Sequence, residues 1–315
     1  MNAIYRKIVV PMDGSPLAEE ILPHLQRMAL PAQSEVHLVG VLEAWRYAMG
    51  TPDLAMIDLV QYLRDDLQNY LAQQQETLQK QGYRVTIHCR DGDAALTIID
   101  VANAIHADLI AMTTHGRSGV RRWTLGSVAE RVLHEAEQPL LIVRHETVST
   151  DTLKYLLVPL DGSAMSEEAL AHATNIAQAT GATLLLLHVV QAIDPTNQRL
   201  LFQSKAEAES AVHEWMDEGQ RYLDGVGQRV AKQGIRCETR VRLGDPDRVI
   251  CATTIDAGID LVVMSTHGRT GVRRWIYGSV ANKVLRGLDC PLLLVRSAAD
   301  GETLEEPSER SFHAN

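Results

Sequence analysis

The chain has 315 residues, with 30 Lys and Arg against 40 Asp and Glu and a formal charge of −10 at neutral pH. This acidic balance argues against a general nucleic-acid binder, and 45% apolar with 22% charged residues is the mixture of an ordinary globular protein. The longest apolar runs fall far short of a membrane span. The start, Met1 to Lys7, enters a strand without an apolar leader, and four cysteines (Cys89, Cys237, Cys251, Cys290) show no CxxC spacing, which fits unpaired thiols in a reducing cytoplasm.

In chain order, Ile8 to Pro11 reads as a short strand and Met12-Asp-Gly-Ser15 as a turn. Ser15 followed by Pro16 gives an N-cap and first helical position, for a helix expected to reach about Ala29. Glu35 to Leu42 is a second strand. A loop with Trp45, Gly50 and Pro52 leads into a long polar-faced helix from Asp53 to Gln81, closed by Gly82. Arg84 to Arg90 is a third strand, followed by a helix from Asp93 to His106 and a fourth strand from Asp108 to Met112. A glycine-bearing stretch then enters a helix at Ser127, where Glu130 stands three residues on in a capping-box pattern. Pro139 to Val143 is the fifth strand. Strict alternation of apolar strands and helices predicts a parallel, doubly wound sheet with helices on both faces.

The second half repeats the first. Asp161-Gly-Ser163 answers Asp13-Gly-Ser15 at an offset of 148, and Gly244-Asp245 answers Gly92-Asp93 at 152. Four extra residues therefore lie between the second and third strands of the second copy, around a long helix from Lys205 to Gln233. From Thr114 to Arg144 against Thr266 to Arg296, 20 of 31 positions are identical. One repeat in a chain of this size predicts two tandem Rossmann-like α/β domains, each a five-stranded parallel sheet, over residues 1–146 and 153–297. The polar stretch from His145 to Leu153 reads as a linker and residues 298–315 as a disordered tail. The apolar fifth strands are expected to pair antiparallel, because an exposed apolar edge invites pairing.

A doubly wound sheet binds its ligand beyond the carboxyl ends of the strands, where the winding reverses. Three features converge there: Asp13 leaving the first strand, Val41 ending the second and able to wall an adenine, and the glycine stretch leaving the fourth. A strand, a glycine loop and a helix N-terminus make an anion site, with a phosphate as the natural occupant. The spacing matches neither a Walker A loop nor the GxGxxG fingerprint.

The loop resembles the nucleotide-binding motif of the universal stress protein family, Gly-x2-Gly-x9-Gly-Ser/Thr. Gly116 with Gly126-Ser127, and Gly268 with Gly278-Ser279, match its last three conserved positions. Thr113 and Ser265 stand where the motif has its first glycine. The resemblance covers both halves, and implies that ATP lies with its ribose by Asp13 and Asp161, its adenine on Val41 and Val189, and its phosphates on the glycines and the following serines. The candidate contact set it implies is Pro11, Asp13, Val41, Met112, Thr113, Gly116, Gly126, Ser127 and Val128, with Pro159, Asp161, Val189, Met264, Ser265, Gly268, Gly278, Ser279 and Val280 in the second half. A Mg²⁺ ion would arrive with the nucleotide; no His, Cys or Asp cluster has metal-ligand spacing of its own.

Each signal also has a plainer reading. Asp13 and Asp161 suit turns and caps, and Val41 and Val189 suit a core. His115 and His267 have no repeated carboxylate or cysteine partner and suit hydrogen bonding within their loops. Arg117, Arg121, Arg122, Arg269, Arg273 and Arg274 suit either phosphate or solvent, and Trp123 and Trp275 suit packing. The leading expectation is a cytoplasmic, ATP-binding stress-response regulator with little or no turnover. The alternatives are a slow ATPase or related transferase, although HIGH-like and SGGxDS-like motifs are absent, and an interaction module that has lost its nucleotide. A protein partner and a homodimer stay open; a nucleic-acid or membrane partner is not expected.

Overall fold

The structure is a computed structural model, which describes residues 5–28, 33–43, 54–114, 125–144, 152–192, 202–266 and 278–296. Linker residues 145–151, the tail, and the loops carrying Gly116 and Gly268 lie outside the described residues.

In the first half β1 (Lys7–Pro11), α1 (Pro16–Glu19), α2 (Ile21–Met28) and β2 (Glu35–Leu42) are followed by α3 (Leu54–Lys80) and β3 (Arg84–Asp91). Then come α4 (Ala94–Ala104), β4 (Leu109–Thr113), α5 (Ser127–Glu135) and β5 (Leu140–Val143). The second half repeats the series as β6 (Tyr155–Pro159), α6 (Ala164–Thr180), β7 (Thr183–Gln191), α7 (Lys205–Ala231) and β8 (Cys237–Gly244). It ends with α8 (Pro246–Asp256), β9 (Leu261–Ser265), α9 (Ser279–Gly287) and β10 (Leu292–Val295).

The expected first helix is broken where the second half has one continuous α6. Pro23 stands in the first turn of α2. Its ring excludes the carbonyl four residues back and it has no N–H to donate, so the helix cannot run through from Pro16. The equivalent position in α6 is Ala171, and that helix runs unbroken over 17 residues.

All ten strands form one sheet, in the order β3-β2-β1-β4-β5-β10-β9-β6-β7-β8. Pairing is parallel within each half and antiparallel at the centre, where Leu140, Leu141 and Ile142 face Leu294, Leu293 and Leu292. Every residue of β5 and β10 is buried. Left unpaired, these strands would present an apolar edge. Joined, each leucine hidden from water contributes about 2 kcal/mol, and the junction acquires a pseudo-two-fold axis.

Alternate strand residues feed two cores. Ile8 and Val10 of β1 join the layer containing α1, α2, α3, α6 and α7, which is continuous between the halves. Val9 joins the layer with α4, α5, α8 and α9. A strand buried on both faces must be apolar throughout, which is why β1, β4, β5 and their counterparts read as unbroken apolar runs.

Candidate functional site

At the carboxyl end of β1 the amide of Met12 still bonds the Val39 carbonyl at 2.8 Å. The chain then turns at Gly14, whose φ of 81° lies in the left-handed region that suits glycine. The turn lets Asp13 Oδ1 accept from both the amide and the hydroxyl of Ser15, at 2.9 and 2.6 Å. Ser15 Oγ in turn caps α1 by accepting from the Ala18 amide at 3.1 Å. The second half reproduces this with Gly162 at φ 85°, Asp161 accepting from Ser163 at 3.0 and 2.6 Å, and Ser163 capping α6. One oxygen of each aspartate is therefore committed to its turn, while both side chains also line a cavity.

At the end of β4, Thr113 and Thr114 are buried. The Thr114 carbonyl accepts from the Gly126 amide at 2.8 Å, and the Thr266 carbonyl accepts from Gly278 at 2.9 Å. These bonds return each loop to its strand. Gly116 and Gly268, the flanking histidines His115 and His267, and the arginines and tryptophans of both loops lie outside the described residues.

The capping box expected at Ser127 does not form. Gly126 is the N-cap of α5, without a side-chain cap, and Ser127 is the first helical residue. The reason is the Thr114–Gly126 bond, which fixes the strand return at Gly126 and starts the helix one residue beyond it. Gly278 and Ser279 stand in the same relation to α9. The first intrahelical bond in each comes from the fourth residue, Glu130 to Gly126 and Asn282 to Gly278. The amides of Ser127, Val128 and Ala129, and of Ser279, Val280 and Ala281, meet no acceptor among the described residues. Three free donors at the positive end of a helix dipole make a seat for an anion.

Above each seat is a cavity, of about 390 Å³ in the first half and about 850 Å³ in the second. All the described candidates of the first half (Pro11, Asp13, Val41, Met112, Thr113, Gly126, Ser127 and Val128) line the first cavity. Pro159, Asp161, Val189, Met264, Ser265, Gly278, Ser279 and Val280 line the second. Sequence reasoning missed the wall supplied by the long helices, namely Leu63, Asp66 and Leu67 of α3 and Trp215, Glu218, Gly219 and Tyr222 of α7. Their i, i+3, i+4 spacing was a usable signal, but a single stripe on a long polar helix does not say which strand end it covers. Thr114 and Thr266 were also missed as lining residues, although both lie in the duplicated stretch.

Tyr222 donates to Glu167 at 3.1 Å. Burial first, and then the Glu167 carboxylate, push its phenol well above the ordinary tyrosine range, so it is a neutral donor at physiological pH. Among the described residues no group of three His, Cys, Asp or Glu side chains comes together as a metal cluster, and no helix is long and apolar enough to cross a membrane.

A family model described as the universal stress protein family matches residues 4–144 and again 152–296. A universal stress protein of Methanocaldococcus jannaschii is 32% identical over 142 residues, which is 45% of this chain and 83% of the relative. One from Mycolicibacterium smegmatis is 27% identical over 222 residues, 68% of this chain and 70% of the relative. Among solved structures, a universal stress protein from Archaeoglobus fulgidus aligns at a TM-score of 0.66 with 22% identity, covering 93% of this chain and 96% of its own. A second, from Pseudomonas aeruginosa, aligns at 0.67 with 20% identity over 95% and 96%. These structures share the fold.

Proposed function

This chain belongs to the universal stress protein family, as two such domains in tandem, and from that premise we propose that it is an ATP-binding regulatory protein with one nucleotide site in each half. The observation that carries the reading is a coincidence found twice. A helix N-terminus without a side-chain cap, whose first three amides meet no acceptor among the described residues, an aspartate at the centre of the strand ends, and a valine at the end of the neighbouring strand share one cavity.

The sheet order supports one pose. The loop into α5 leaves β4, Asp13 leaves β1, and Val41 lies on β2, three strands side by side and ~5 Å apart. With phosphates on the amides of Ser127, Val128 and Ala129, the ribose would lie by Asp13 and the adenine against Val41. The same order holds for α9, Asp161 and Val189. Gly116 and Gly268 would add backbone donors to the phosphates, and Mg²⁺ would enter with the triphosphate. The physiology that follows is regulation of a stress response in the cytoplasm through a protein partner that senses the occupied state.

A second reading, an interaction module without nucleotide, is favoured by one observation. Thr113 and Ser265, in place of the family motif's first glycine, are buried side chains lining the phosphate end of each cavity. Mass spectrometry of nucleotide released from the denatured, freshly purified protein, followed by calorimetric titration with ATP, separates the two. Two equivalents of ATP per chain are expected. Neither carried nucleotide nor heat on titration would overturn the proposal.

A further inference from the structure

The two cavities differ by a pair of exchanged residues. In the first half a glycine stands on β2 and a leucine on the helix opposite. A Cβ added to Gly40 would lie 2.8 Å from Leu71 Cδ1 and 3.0 Å from Leu67 Cδ1. In the second half the bulk has changed sides. His188 occupies the strand position equivalent to Gly40, and Gly219 the helix position equivalent to Leu67. A Cβ added to Gly219 would lie 2.6 Å from His188 Cδ2. A Cβ at Gly219 would drive into the His188 ring and one at Gly40 would displace the methyl ends of Leu71 and Leu67, so each glycine fits the side chain packed opposite it.

The exchange alters the wall. Leu67 closes the first cavity with a buried aliphatic side chain. In the second, the His188 ring lies against the helix backbone at Gly219 and is tethered by its Nδ1–H to the Leu160 carbonyl at 2.8 Å. That ring meets the Tyr222 ring edge-on, with centroids 6.1 Å apart. One turn earlier on the helix, Trp215 replaces Leu63, and it packs on Phe202 with centroids 6.4 Å apart. The second cavity is the larger, about 850 against 390 Å³, and the rings of His188, Trp215 and Tyr222 line it where Leu63 and Leu67 line the first. The acid is kept in both, as Asp66 and Glu218.

The position of this difference follows from the sheet. β2 and β7 lie on the far side of β1 and β6 from the strands that feed the uncapped helices. The exchanged pair therefore sits at the base end of the proposed pose, away from the phosphates. We propose that the two sites discriminate at the base: the second admits a purine nucleotide carrying a ring-sized substituent on its base, seated against His188, Tyr222 and Trp215, and the first is closed to it by Leu67. This rests on the nucleotide reading above. Aromatic rings provide large apolar area with preferred stacked or edge-on geometries, which suits a second flat ring better than water.

The test is calorimetric titration of the full chain with ATP and with N6-benzyl-ATP. Two equivalents of ATP and one of N6-benzyl-ATP are expected. The double variant His188→Gly with Gly219→Leu gives the second cavity the first one's pair and should abolish binding of the benzyl compound, while the untouched first site, still filled by ATP, reports an intact fold. The reciprocal variant Gly40→His with Leu67→Gly should raise the benzyl stoichiometry to two. Trp215→Leu, at a half-exposed position that folding tolerates, should weaken the benzyl compound by about fivefold. Equal binding of N6-benzyl-ATP at both sites, binding at neither, or indifference to the His188→Gly with Gly219→Leu exchange would overturn the inference while leaving the ATP sites standing. A chain that binds no ATP at all would overturn the nucleotide reading and this inference with it.

Discussion

Arg144, just past β5, reaches into the opposite half and donates to the Leu285 carbonyl near the end of α9 at 2.9 Å. It also meets the carbonyls of Arg286 and Leu288, at 2.7 and 3.0 Å. Arg296 returns the arrangement, donating to Leu133 and His134 of α5 at 2.9 and 2.6 Å. Each arginine thus satisfies the orphan carbonyls at the C-terminus of the helix whose N-terminus faces a cavity, and brings a positive charge to the negative end of that helix dipole.

These two clamps tie the anion seats to the domain junction. Hydrogen bonds from a charged donor contribute about 1.5–3 kcal/mol, so Arg144→Met and Arg296→Met should each destabilise the chain by about 2 kcal/mol. Urea denaturation of the single and double variants measures it. The two clamps share one sheet junction, so the double loss should depart from simple addition. Unchanged midpoints in both single variants would mean that water serves these carbonyls equally well.

Gly126→Val and Gly278→Val should each remove one ATP site. The cause is space, not strain: Gly126 has φ −65° and Gly278 φ −52°, values a valine adopts. A branched side chain there would project over the free amides and keep an anion from them. Calorimetry should show one equivalent of ATP per single variant and none for the pair, with thermal unfolding little changed. Full stoichiometry in both variants would exclude the α5 and α9 termini as the phosphate seats.

Most of the architecture was legible because it rests on local chemistry that repeats. Apolar runs separated by helical periods fix the strand count, and the duplicated Asp-Gly-Ser and Gly-Ser segments mark the strand ends where ligands gather. The pairing of β5 with β10 was also legible, since an apolar strand last in the winding has nowhere else to be buried. What could not be read depended on distant partners. Pro23 in α2 was visible, but its effect was masked by the helical pattern on either side. The start of α5 at Ser127 is set by the Gly126 amide donating to the Thr114 carbonyl, outside the capping window. The Gly40–Leu67 and His188–Gly219 exchange appears only once α3 and α7 are laid on their strands.

ATP turnover should be slow, well below the ~10 s⁻¹ typical of enzymes. Hydrolysis needs a base or a positioned water at the γ-phosphate and stabilisation of the charge developing there. The repeated carboxylates at the strand ends, Asp13 and Asp161, already hold Ser15 and Ser163 with two bonds each and stand one strand away from the phosphate seats. Phosphate release from the pure protein, compared with the His115→Ala, His267→Ala double variant, checks this. An enzyme-like rate lost in that variant would make the protein a hydrolase and assign those histidines the work.

The last expectation concerns acid. His24 is 4% exposed and its Nε2 finds no partner among the described residues. The equivalent ring in the second half, His172, shares a hydrogen bond with Tyr5 at 3.0 Å, but the residue equivalent to Tyr5 is Leu153, which has no hydroxyl to offer. Burial first, and then the nearby Arg27, lower the His24 pKa from 6.5 to about 4; burial also lowers those of His37, His88 and His172. A depressed imidazole is neutral in the native state over a range where the unfolded chain takes up the proton. Its contribution is therefore intact above pH 6.5, and stability falls as the pH drops from 6.5 towards about 4. His24→Leu removes both the titration and the unpartnered nitrogen. The variant should be more stable than the parent by about 1 kcal/mol at pH 7.5, and its advantage should widen at pH 5. Urea midpoints for the two proteins at both pH values decide it, and parallel losses between pH 7.5 and 5 would place the acid sensitivity in the other histidines.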